Sequence, residues 1–197
     1  MGKIVCLMGK SSTGKDTIYK RLLEDRELGL KKIVPYTTRP IRNGETDGVE
    51  YFFKSEEDFR RLKEQGKIIE DREYQTFHGL WRYFVADDGQ IEASGNYIMI
   101  GTLEAYRHLQ DYFGADRVLP IMIELDDGAR LQRALNRERR QAQPRYEEMC
   151  RRFLADSADF SEEKIAEAGI TRRFINNKLG RCLNHIRRYI EAAVKSS

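Results

Sequence analysis

A Gly-x-x-x-x-Gly-Lys frame stands at Gly9 to Lys15, inside the run GKSSTGKDT (Gly9 to Thr17). It follows directly on the apolar run IVCLM (Ile4 to Met8) and leads directly into Lys15 to Glu24, where Ile18, Leu22 and Leu23 recur at helical spacing. No other stretch limits the fold so tightly. An uninterrupted apolar strand is one covered on both faces, and strand, glycine turn and helix in immediate succession open a parallel sheet with crossover helices. Glycines let the backbone close round an anion, so that successive N–H groups and the positive helix end face it, while Lys15 adds a reaching cation. Phosphate binding is therefore expected from Gly9, Ser11, Ser12, Thr13, Gly14, Lys15, Asp16 and Thr17.

Strand-length apolar runs continue at Lys32 to Tyr36, Tyr97 to Ile100, Leu119 to Leu125 and Arg173 to Asn176. Helical patterns lie at Leu103 to Tyr112, Ala129 to Arg140, Arg145 to Asp156 and Leu179 to Val194. The expected class is α/β, a parallel five-stranded core sheet flanked by helices. Thr37 to Val85 breaks the alternation with a turn-rich stretch (Arg39 to Gly48), a short aromatic strand (Tyr51 to Phe53), a helix (Glu56 to Gln65) and aromatic extended pieces around Tyr74 to Phe84. It reads as an insertion over the carboxyl ends of the main strands, where open α/β sheets bind ligands. At 197 residues the chain suits one domain. Its core is assigned to 1–36, 86–137 and 153–197, an inserted acceptor-binding subdomain to 37–85, and a lid to 138–152.

With 40% hydrophobic and 34% charged residues, the composition is that of a water-soluble globule rather than a disordered chain. No run approaches the roughly 20 apolar residues that span a bilayer, and the first apolar run is too short for a signal-peptide core. Cys6, Cys150 and Cys182 are odd in number and lack metal-ligand spacing, which suits reduced thiols in the cytoplasm. A monomer or homodimer is expected. Arg130, Arg133, Arg137, Arg139, Arg140, Arg145, Arg151 and Arg152 crowd into one span. Aromatics do not interleave with them, so a phosphate-facing lid is expected in place of a nucleic-acid surface, and no membrane contact.

Arg39 and Arg42, three apart in a loop stiffened by Pro40 and Gly44, form a rigid fork for a dianionic phosphate. Their run, TTRPIRNGETDGVEYFF (Thr37 to Phe53), taken with the phosphate loop, resembles the guanylate kinase family. The likeness extends to Glu70, the arginines of Arg133 to Arg152, and Ile175-Asn176-Asn177. It implies a P-loop kinase fold, with ATP and Mg²⁺ as cofactors and ATP-dependent phosphorylation of a nucleoside monophosphate, GMP or dGMP foremost. It implies Lys15, Arg39, Arg133, Arg137 and Arg152 as the cations around the transferred group, and Asn176 beside the loop in the ATP site. Arg39, Arg42, Tyr51, Glu70 and His78 would hold the acceptor, with lid closure excluding water.

Two departures accompany the resemblance. The residue after the loop lysine is Asp16 where the family has Ser or Thr, so Asp16 and Thr17 are the expected metal-facing pair, and activity should be strictly divalent-metal dependent. Of the family's four guanine contacts only Glu70 remains, the others being Pro35, His78-Gly79-Leu80 and Gly101. Three readings stay open from the residues: a guanylate kinase reading the base through shifted residues such as Asp71, His78 or Thr102; a kinase for another phosphorylated acceptor such as ribose 1,5-bisphosphate; and a non-catalytic peptide-binding module.

Overall fold

The computed structural model describes residues 1–76 and 79–195. Strand β1 (Ile4–Met8) is buried at every residue and pairs in parallel on both sides. Its alternating side chains feed two different cores. Ile4, Cys6 and Met8 pack with the helix on one face, and Val5 and Leu7 with the helices on the other, as a strand sandwiched between helix layers must.

Helix α1 (Lys15–Glu24) buries Ile18 and Leu22 against that second face, and β2 (Lys31–Lys32) follows at the sheet edge. The expected Lys32-to-Tyr36 strand divides here. Ile33 still donates its N–H to the Ile98 carbonyl, but Val34 turns to the Gln90 side chain, and Tyr36–Thr37 becomes β3 of a second sheet. Pro35, with no N–H to give to a ladder, sits where the chain changes sheets.

The second sheet adds β4 (Phe52–Phe53), β5 (Ile68–Thr76) and β6 (Gly79–Ala86) in the order β4-β3-β6-β5, with α2 (Glu56–Glu64) started by a Ser55–Asp58 capping box. What reads in sequence as scattered aromatic pieces is one antiparallel hairpin, β5 against β6. Tyr36, Phe52, Phe59 and Phe84 form its small core, with ring centroids 5.0–5.1 Å apart.

The chain then returns to the main sheet through β7 (Tyr97–Ile100), α3 (Leu103–Phe113), β8 (Val118–Glu124), α4 (Asp127–Glu138), α5 (Tyr146–Asp159), α6 (Glu162–Glu167), β9 (Arg173–Ile175) and α7 (Leu179–Lys195). The finished sheet has five parallel strands in the order β2-β7-β1-β8-β9. Leu103, Tyr106 and Leu109 of α3 cover one face; Cys182, Ile186 and Ile190 of α7 join α1 on the other. Helix α6 is absent from the sequence reading because only Ile165 of it is buried, too little for a visible period; a Ser161 cap starts it. Among the described residues no helix is long and apolar enough to cross a membrane.

Candidate active site

The turn after β1 is shaped by contacts that only glycine allows. A β-carbon at Gly9 (φ 147°) would stand 2.4 Å from the Ile123 carbonyl oxygen, and one at Gly14 (φ 92°) would stand 2.5 Å from Asn176 Nδ2. Between them Ser12 takes φ 64°, a left-handed conformation costing a serine about 1–2 kcal/mol, and its buried hydroxyl has no partner. Strain and an unpaired polar group at a helix start mark a loop shaped for a ligand.

The loop is braced from outside. Thr13 Oγ1 donates to the Lys10 carbonyl at 2.8 Å, and Asn176, buried just beyond β9, donates Nδ2 to the Thr13 carbonyl at 2.7 Å. Arg133 reaches the same place from α4, 3.5 Å from the Thr13 and Asn176 carbonyls. Lys15, Asp16 and Thr17 open α1, with Lys15 half-buried and the other two exposed. Among the described residues no group of three or more Asp, Glu, His or Cys side chains could hold an ion by itself. The Asp16 carboxylate and Thr17 hydroxyl, hard oxygens in the first helical turn, suit Mg²⁺.

A second clamp on the loop was not singled out from the sequence. Asp156 of α5 accepts from the Ser11 N–H at 2.8 Å and from its hydroxyl at 3.2 Å, while Arg130 of α4 donates Nε to the Ser11 carbonyl at 3.0 Å and NH2 to Asp156 at 3.0 Å. Arg130 is wholly buried, with its guanidinium 4.7 Å from the Phe153 ring centroid. Read within the arginine cluster it looks like one more surface charge. The signal lay in spacing, since Arg130, Ala134 and Glu138 form the buried i, i+4, i+8 stripe of α4.

A cavity of about 650 Å³ opens between residues of both sheets, including Pro35, Tyr51, Glu70, Arg72, Trp81 and Met99. Arg39 lies close by but is not free. It is 3% exposed, forked onto Glu45 at 2.6 and 2.7 Å, with its guanidinium 5.1 Å from the Tyr51 ring and 5.4 Å from the Phe53 ring. Glu45 also accepts from the Arg42 N–H at 2.8 Å, and the Arg39 bonds followed by this one draw its carboxyl down to about 2. One carboxylate thus holds the Arg39 guanidinium and the Arg42 backbone together. Arg42 extends outward, 6.0 Å from the Trp81 ring. Burial raises the Tyr51 hydroxyl and the Glu70 carboxyl above their usual values, Arg72 partly opposing the shift on Glu70.

Arg137 and Arg152 line a second cavity, of about 510 Å³, together with Ser11, Ser12 and Asp156. Among the described residues Arg152 pairs with Glu148 at 2.7 Å, the arginine largely exposed and the glutamate partly so. Such a pair is worth roughly 0–1 kcal/mol, so Arg152 is easily redirected. Predicted His78 lies outside the described residues.

A family model described as "Guanylate kinase" matches residues 1–86. The guanylate kinase of Porphyromonas gingivalis is 30% identical over 193 residues, covering 96% of this chain and 97% of that protein. The chain belongs to the guanylate kinase family. Its fold is similar to the crystal structure of guanylate kinase from Anaplasma phagocytophilum, with a TM-score of 0.64 at 21% identity over 98% of this chain and 86% of that one. At Gly101, a base-reading position by the resemblance, a β-carbon would lie 2.9 Å from Cys6 Sγ and 3.5 Å from Ala105 Cβ. Pro35 lines the cavity between the two sheets, where it offers no hydrogen-bond donor.

Proposed function

We propose that this chain is a cytoplasmic enzyme that transfers the γ-phosphoryl group of ATP to GMP, giving ADP and GDP. The observation that carries the reading is the pairing of a strained, amide-lined phosphate loop with a separate cavity whose deepest polar group, Glu70, is buried and short of one hydrogen bond. An acceptor phosphate oxygen attacks the γ-phosphorus, the bond to the β,γ-bridging oxygen breaks, and both electrons of that bond leave with ADP. No covalent nucleophile is required, because such transfers depend on positioning and on charge around a loose transition state.

Loop amides and Lys15 hold the donor phosphates, with Asn176 and the Arg130–Asp156 pair keeping the loop in shape. Asp16 and Thr17 would hold Mg²⁺, which would neutralise charge on the nucleotide phosphates. Arg39, already forked by Glu45, together with Arg42 and Tyr51 faces the acceptor phosphate, and a small turn of the Arg39 side chain exchanges carboxylate for phosphate. Arg133 stands at the loop, and Arg137 and Arg152 close on it from the lid, expelling water that would otherwise take the phosphoryl group.

The test is ADP release with ATP and Mg²⁺ across GMP, dGMP, IMP, AMP, CMP, UMP and ribose 1,5-bisphosphate. GMP or dGMP should give the highest kcat/KM. A clear preference for the sugar bisphosphate would replace the acceptor, and no turnover with any of them would leave a binding module.

A further inference from the structure

Glu70 and Arg72 stand two apart on β5, so their side chains share one face of the strand, and both line the acceptor cavity. Arg72 NH2 donates to Glu70 Oε1 at 3.2 Å. That bond leaves the pair unfinished, because Glu70 Oε2 and Arg72 Nε are both buried without a partner. The Glu70 side chain is 1% exposed and that of Arg72 27%, so the carboxylate lies at the bottom of the cavity and the guanidinium forms part of its reachable wall. Unpaired buried groups of this kind cost roughly 1–3 kcal/mol each, more when charged, and are expected where a ligand completes the bonding.

The ligand edge that completes this pair must present donors to a carboxylate and, next to them, an acceptor to a guanidinium. Guanine has that order, with N1–H and the N2 amino group as donors beside the O6 acceptor; adenine offers an amino donor at position 6, against the cation. Arg72 is the only cationic side chain among the described residues of this cavity, and Gly101 and Pro35 supply no side-chain donor. Tyr74, Trp81 and Tyr83 add flat aromatic walls against which a base can pack.

We propose that Arg72 is a specificity-determining residue of the acceptor site, donating to the 6-carbonyl of the purine while Glu70 accepts from its N1 and N2 hydrogens. This rests on the GMP reading above and replaces donors that the family draws from elsewhere in the chain.

The experiment compares kcat/KM for GMP, IMP and 2-aminopurine riboside 5′-monophosphate, which has hydrogen at position 6, in the wild type, Arg72→Leu and Arg72→Lys. Arg72→Leu should lower the values for GMP and IMP by about 10- to 100-fold, chiefly through KM, and that for the 2-aminopurine nucleotide, which shares only the Glu70 contact at its 2-amino group, at least about fivefold less. Arg72→Lys, which keeps a cationic donor and a charge beside Glu70, should recover part of the preference for the 6-carbonyl. A purely structural role would lower all three nucleotides alike, and that result overturns the proposal, as does an unchanged ratio of GMP to 2-aminopurine nucleotide in Arg72→Leu. Failure of the GMP reading looks different, since the wild type itself would then favour a non-purine acceptor.

Discussion

Replacing Arg130 by Met removes a buried cation while retaining most of its aliphatic volume, so the loss is chiefly that of its polar contacts. Three matter unequally. The bond from Nε to the Ser11 carbonyl, a neutral acceptor at 3.0 Å, is worth about 1 kcal/mol. The bond from NH2 to Asp156, a carboxylate only 16% exposed at 3.0 Å, is worth about 1.5–3 kcal/mol. The contact with Asp127, whose side chain is 53% exposed, adds about nothing. Asp156 keeps its two bonds to Ser11, so it is not left bare, and the total falls at about 2.5–4 kcal/mol. For a chain of this size that is a fall in Tm of roughly 5–16 °C, read by circular dichroism with and without 1 M NaCl. Screening leaves buried bonds largely intact, so the difference should persist in salt. Because Ser11 belongs to the phosphate loop, KM for ATP should rise while KM for GMP stays within about twofold. A Tm within about 2 °C of the wild type, or a KM change confined to GMP, would refute the assignment of Arg130 to bracing the donor loop.

Lys15→Ala should lose most turnover, at least about 100-fold in kcat, with an unchanged melting curve, since Lys15 adds charge and little packing; equal losses of activity and of fold would contradict a catalytic role. Burial raises the Glu70 carboxyl, so KM for GMP should climb on the acid side at a pH where an ordinary glutamate is still ionised, with KM for ATP flat. The same shift fixes a sign for stability: the contribution is fully present below the unfolded pKa and lost as pH rises through the raised folded one. Glu70→Gln should therefore gain Tm relative to the wild type at neutral pH, and the gain should vanish in acid. Gly101→Asp, which restores the family's residue, should cost about 2 kcal/mol or more in urea titrations without improving GMP use, and Cys6→Ala in the same chain should recover part of that loss.

The donor loop was legible in sequence because its parts are contiguous: strand, glycines, lysine and helix follow one another, and each leaves a local mark. The nearness of Arg39 and Tyr51, 5.1 Å from guanidinium to ring, comes likewise from one turn-rich run, which Arg42 joins through its backbone N–H on Glu45. What escaped depends on partners far apart in the chain. Arg130 finds Ser11 119 residues away and Asp156 26 residues away, and nothing within α4 separates a buried arginine from its exposed neighbours except the stripe it shares with Ala134. Arg72 drew no notice in the sequence, because its place in the cavity depends on β5 lying beside the end of β7. The divided strand at Lys32 to Tyr36 shows the reverse limit, since one apolar run can serve two sheets when a proline stands where it crosses.

At the centre of this account is a single chain holding a nucleoside triphosphate and a guanine nucleotide end to end. Titration calorimetry with an adenosine–guanosine dinucleotide joined through five phosphates tests it most directly. One molecule should bind per chain, more tightly than ATP or GMP alone, displaced by either, and weakened in Arg72→Leu. Affinity no greater than that of ATP, with no competition from GMP, would contradict it.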